Sequence, residues 1–186
     1  MPNAQDLAFV QQATASGLAE VTEGQIAVAK SLITRDFGQR MVTDHTAANK
    51  QLSAIAAQEH IPQSPVLTGP AQQDIVTLEV LTDPEFSRTY VEMQVVDHIQ
   101  TLRQFLQETK AGQDPALVTF AKEQVPVLMQ HLDSAVALDL AVHGLPPSPA
   151  TVNAFLSSVA PDLRGTAAAA AAPESAHSVA LALTHS

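Results

Sequence analysis

The sequence predicts an all-α fold, an antiparallel four-helix bundle with a long crossover loop and an irregular C-terminal extension. Three observations carry this expectation. Residues 4–145 are rich in Ala, Gln, Leu and Glu, and their apolar positions recur with a helical period rather than a β alternation. Asp83-Pro84 and Asp114-Pro115 each set a capping carboxylate before a proline suited to the first helical position. Pro62, Pro65 and Pro70 mark residues 61–82 as a connection long enough to cross the length of a bundle.

In chain order, the first helix covers about 4–30 and the second about 33–60. Only Ser31 and Leu32 separate them, so they form a hairpin. Within the connection, residues 72–81 form a short helix. The third long helix runs from Pro84 to about Ala111 and the fourth from Pro115 to about His143, with Gly112 and Gly144 at their ends. A tight first hairpin followed by a long crossover makes the bundle ferritin-like rather than plainly up-and-down. Pro126 lies inside the fourth helix and removes one backbone hydrogen bond.

Residues 146–186 differ in kind, so the chain divides into a bundle, 1–145, and an extension. Pro146, Pro147, Pro149, Pro161 and Pro173 break up the extension, and Ala167–Ala172 is an alanine run. A Pro/Ala-rich, flexible or weakly helical segment is expected. The alternative is that Val152–Val159 and Val179–Leu183 dock onto the body or onto a protein partner.

Composition removes several functions. Nine basic against nineteen acidic residues give a formal charge of -10, which offers no electrostatic footprint for nucleic acid and is repelled by anionic membrane surfaces. There is no Cys, so thiolate catalysis, zinc fingers and iron–sulfur ligation are excluded. No apolar run approaches the ~20 residues of a membrane span. Met1-Pro2-Asn3 leads straight into an amphipathic segment. The expectation is a cytoplasmic protein, or an exported one whose signal was removed.

Any chemistry must come from His and carboxylates. On a wheel of ~100° per residue, Glu20 shares the inward face of the first helix with Phe9, Ala13, Ser16, Gly24 and Ala27. Glu23 lies at its edge. His45 shares a face with Gly38, Met41, Leu52 and Ala56. His98 aligns with Val91, Val95, Leu102 and Phe105, and His131 with Phe120, Leu128 and Ala135. Counting from the two hairpin turns, the four residues agree in depth within about one helical turn. Glu20, His45, His98 and His131 are therefore the candidate metal ligands. The bland alternative is a buried ion pair between Glu20 and one histidine, without metal.

Three imidazoles and a carboxylate suit Zn, Cu, Fe or Ni rather than Mg or Ca. One transition-metal ion is expected, and no organic cofactor. Val42, Val95 and Leu128 stand three residues before the histidines, so the paired Glu-x-x-His motifs of dinuclear bundles are absent. Asp44 and Asp97 point about 100° away from the ligand faces and are expected to support ligands or lie at the surface. Gln94 and Gln124 face inward. His60, His143, His177 and His185 are expected to be solvated.

Phe9…Gly17-Leu18-Ala19-Glu20…Gly24, then Phe37-Gly38…Met41-Val42-Thr43-Asp44-His45-Thr46…Asn49…Leu52, carry a family pattern. Phe86…Tyr90-Val91…Met93…His98 and Phe120-Ala121…Val125-Pro126…His131-Leu132 continue it. Over about residues 5–144 the chain resembles the bacterial domain-of-unknown-function family 4142. The resemblance implies a ferritin-like four-helix bundle and a periplasmic location, since most members are exported. It implies no activity. Gly17 and Gly24 let helices approach closely. The function expected is metal storage, delivery, sensing or slow redox chemistry. The competing reading is a structural or accessory interaction subunit of an exported protein complex, without bound metal. A hydrolase has no support, since there is no Ser-His-Asp constellation, Gly-rich phosphate loop or His-Glu-x-x-His helix.

Overall fold

The computed structural model describes residues 1–163. The alanine run and Val179–Leu183 lie outside them. The described residues are helical throughout, with no strand. The elements are α1 (Ala4–Lys30), α2 (Arg35–Gln58), α3 (Gly69–Val80), α4 (Glu85–Ala111), α5 (Pro115–Val142) and α6 (Pro149–Val159).

Local chemistry sets most of these boundaries. Asn3 starts α1 through a reciprocal cap: its side chain accepts from the Asp6 N–H, and the Asp6 carboxylate accepts from the Asn3 N–H. The link to α2 is two residues longer than expected, because Leu32, Ile33 and Thr34 form a turn. The buried Thr34 hydroxyl points back to the Ala27 carbonyl. Thr68 caps α3 by accepting from the Ala71 N–H, and the Lys30 ammonium donates to the Leu78 and Glu79 carbonyls at the other end of α3.

The start of α4 departs from the expected pattern. Pro84 occupies the capping position itself, and the Asp83 carboxylate accepts from the Ser87 hydroxyl instead of capping. The start of α5 follows the pattern: Asp114 accepts from the Ala116 and Leu117 N–H groups and Pro115 is the first helical residue. Gly112 is required by space rather than by backbone conformation. A Cβ there would lie 2.7 Å from the Glu108 carbonyl oxygen.

Contacts fix the directions of the long helices. On α1 and α2, Gly17 meets Asn49 and Gly24 meets Gly38, so the pair is antiparallel. A Cβ on Gly24 would lie 2.8 Å from the Gly38 carbonyl oxygen, and the two glycines permit this approach. Phe9 meets Phe105 and Glu23 meets Gln94, so α1 and α4 are antiparallel. Phe105 with Phe120 and His98 with His131 give the same relation for α4 and α5. These four helices share one apolar core. Phe9, Phe105 and Phe120 cluster at one level, and Phe37, Phe86 and Tyr90 at another.

Two expectations change. Residues 149–163 lie on the body, as the docking alternative held, rather than as a flexible extension. Val152, Leu156, Ala160 and Leu163 form a buried stripe at helical spacing, α6 packs on α5, and Arg103 on α4 makes a two-pronged bond to Asp162 at 3.0 and 2.9 Å. The prolines hide this stripe in the sequence because Pro149 begins the helix rather than breaking it. In addition, α5 has a window of mean hydropathy 1.3 and is long and apolar enough, by length and composition, to cross a membrane. Lys122, Glu123, Asp133 and Asp139 interrupt it, so no unbroken apolar run announces it. Its Leu117, Phe120, Leu128, Leu132 and Val136 are buried, as in the core helix of a helical body.

Candidate metal centre

Three histidines from three helices meet between the two aromatic levels. The ring centroids of His45 on α2, His98 on α4 and His131 on α5 are 5.7, 5.3 and 5.4 Å apart. One nitrogen from each ring lies within 4.8 Å of the other two. All three side chains are buried. Each reaches the core because it sits on its helix's apolar stripe, and the antiparallel pairing of α4 with α5 brings His98 level with His131.

The other ring nitrogens decide which ones are available. His98 Nδ1 donates to the Gln94 carbonyl one turn earlier, at 2.9 Å, leaving Nε2 with a lone pair. His131 Nε2 donates to the Asp44 carboxylate at 2.9 Å, leaving Nδ1 with one. His98 Nε2, His131 Nδ1 and His45 Nε2 are buried and have no hydrogen-bond partner among the described residues. A histidine held through one nitrogen by a carbonyl or carboxylate, with the other bare, is how protein metal sites present imidazole.

Protonation favours the same role. Burial, and then His98 and His131 nearby, hold His45 well below the ordinary imidazole range. Burial and the neighbouring His131 depress His98 to about 3, against the pull of the Gln94 carbonyl. Burial lowers His131 as well, with the Asp44 contact opposing it. Neutral rings are the ligating form. A cleft of about 20 Å³, lined in part by Asp44, His45, Asn49, Gln124 and His131, reaches this cluster. It is large enough for about one water.

The structure sets the fourth expected ligand apart. Glu20 is buried at the expected depth, but its Oε1 lies 3.6 Å from His98 Nδ1, the nitrogen already bonded to Gln94. It therefore stands beside the engaged nitrogen of His98, outside the group of three histidines. The pair is within ion-pair distance, as the alternative without metal has it, but too long for a hydrogen bond. Burial, then Glu23 and Asp97, push the Glu20 carboxyl well above its ordinary range.

Glu20 belongs instead to an acidic group between α1, α3 and α4. Glu23 accepts from the Gln94 amide at 3.0 Å, and burial with Asp97 and Asp74 nearby pushes it up to about 8. Asp97 is raised to about 6 by burial and Asp74. Asp44, by contrast, contacts His131 directly. Its projection about 100° off the α2 stripe turns it toward α5, which a single-helix wheel does not show. His143 is exposed, as expected, and pairs with Glu92 and Asp139 at 3.3 Å. These three are also close enough to hold an ion, but on the surface, where their ion pairs already account for them.

A family model described as Domain of unknown function (DUF4142) matches residues 1–138, a span that holds all three histidines and ends before α6. The chain belongs to this family. No curated protein and no solved structure matches it.

Proposed function

We propose that His45, His98 and His131 hold one transition-metal ion, and that the chain is a periplasmic metal-binding protein of ferritin-like four-helix-bundle architecture. The observation that carries the reading is three buried histidines that each offer a nitrogen within 4.8 Å of the other two, with one unpartnered nitrogen on every ring. A buried polar atom without a partner costs about 1–3 kcal/mol. A single cation satisfies all three at once. The donor set suits Zn, Cu or Fe, and Asp44 and the Gln94 carbonyl orient two of the rings. Metal–nitrogen distances of ~2.0–2.1 Å are expected on loading. Three ligands leave a coordination position for water or a small molecule, and the cleft beside Asn49 and Gln124 supplies the approach.

The ferritin-like reading is supported by the tight α1–α2 hairpin, the long α2–α4 connection carrying α3, and the antiparallel α1–α4 pair. The periplasmic reading rests on the family resemblance. Storage, delivery or sensing of the ion fits a small, nearly closed site. Elemental analysis and titration of the purified chain test the proposal. One equivalent of Zn or Cu is expected, removed by chelator and abolished by His98→Ala. Absence of stoichiometric binding of Zn, Cu and Fe sinks it.

A further inference from the structure

A second cleft, of about 470 Å³, lies between α1, α3 and α4 on the far side of His98. This volume is in the range of small-molecule sites, about 300–1,000 Å³. Four carboxylates line one end of it: Glu20 and Glu23 from α1, Asp74 from α3 and Asp97 from α4. Three separate helices thus bring carboxyl groups to one place. Among the described residues no Lys or Arg ion-pairs with any of the four. Lys30, the basic residue on the same stretch of α1, is committed to the α3 carbonyls.

Two polar atoms in the lining point to what belongs there. Glu20 is 3% exposed and its Oε2 has no hydrogen-bond partner. Gln104, at the other end of the lining, has an unpartnered Oε1. Each is left to be satisfied by a group that enters the cleft. Gln104 lies seven residues beyond Asp97 on α4, about 10 Å along the helix. A bare divalent cation fits this poorly. No three of the carboxylate oxygens come within 4.8 Å of one another, so no compact cage exists, and an ion has nothing to offer Gln104.

We infer that this cleft binds a linear polyamine, with one ammonium among Glu20, Glu23, Asp74 and Asp97 and a second amino group reaching Gln104. Each ammonium brings three donors. The aliphatic spacer lies along Ala15 and Ala19, which line the cleft between the two ends. The site is distinct from the three-histidine cluster and does not depend on it.

Calorimetric titration of the full chain with spermidine tests this, with and without added zinc. One equivalent is expected to bind in both cases, more weakly at high salt because the pairing is between charges. Glu23→Gln and, independently, Asp74→Asn should each weaken binding by about tenfold, the scale of one hydrogen bond to a charged group. Asp74 is half-buried on α3, so its variant guards against a folding defect at Glu23. Glu123→Gln, an exposed carboxylate far from the cleft, should leave affinity unchanged, and a neutral diol of similar length should not bind. His45→Ala should lose metal and keep spermidine, so the two sites fail separately. No binding at physiological salt overturns the inference. So does Mg²⁺ competing at equal concentration, or equal weakening by Glu123→Gln, which would mark general attraction to an acidic protein.

Discussion

Asp44 shows how much a single side chain decides. It is half-buried, stands beside His45 in sequence, and bonds not to its neighbour but to His131 across the helical body. Arg40 lies against its outer side at 3.4 Å. Asp44→Ala removes the acceptor that fixes the His131 ring and leaves a buried N–H facing the small cleft. Metal affinity should drop by about 10–100-fold, the usual effect of losing a ligand's supporting partner. Apo stability should fall by only about 1 kcal/mol, since water can enter the cleft and take the bond. Metal titration set beside thermal melting measures both, and an unchanged affinity would falsify the positioning role. The sequence made the histidines legible because inwardness and depth follow from helical period. It could not separate Glu20 from Asp44. That distinction depends on which nitrogen of each ring is already bonded, and on which helix lies across from α2, and neither is a property of one helix's wheel.

The ends of α1, α4 and α5 are tied together by a carboxyl pair. Burial raises Asp6, but the N–H groups of Asn3, Asp114 and Gln113 and the Glu108 carboxyl outweigh it and hold it below the ordinary range. Burial and the adjacent Asp6 push Glu108 up to about 7. Protonated Glu108 can donate to Asp6; ionised Glu108 repels it. Between an unfolded value of 4.5 and the folded value of about 7, the folded chain holds the extra proton. The Glu108 contribution is therefore fully present below the unfolded value and is lost as pH rises through about 7. Glu23 and Asp97 add slopes of the same sign, so the difference from a variant is the useful measurement. Glu108→Gln should match the wild type near about pH 5 and melt higher near about pH 8, because its amide still donates to Asp6. A constant offset at all pH values would show that Glu108 does not titrate in this window. The element that the sequence offered only as an alternative, α6, has its own test. Leu156 is fully buried on it, and Leu156→Ala should cost about 2–3 kcal/mol, the low end for a core leucine because the site is peripheral. Urea melting checks this. A loss below about 0.5 kcal/mol, the usual surface effect, would mean that α6 leaves the body in solution.

At the scale of the whole molecule, the helices were readable because capping, periodicity and turn residues agree at nearly every boundary. The exceptions are informative: the α4 start moved where a hydroxyl competed for the Asp83 carboxylate, and residues 149–163 folded where their apolar stripe found α5. Metal binding acts at this same scale. The three histidines come from α2, α4 and α5, separated by 53 residues between His45 and His98 and by 33 between His98 and His131. An ion bound there links helices that are distant in the chain, and the unfolded chain cannot present the three rings together. Its binding free energy thus adds to folding. At a free concentration 1,000 times the dissociation constant, the gain is about 4 kcal/mol, larger than any one of the substitutions considered above. Zinc or copper should therefore raise the melting temperature by several degrees, chelator should reverse the shift, and His45→Ala should show none. The accessory-subunit reading expects no shift with any of these ions in the wild type, so one melting series with and without metal decides between the two. A shift of equal size in His45→Ala would place the ion elsewhere, with the exposed Glu92, Asp139 and His143 group the next site to change.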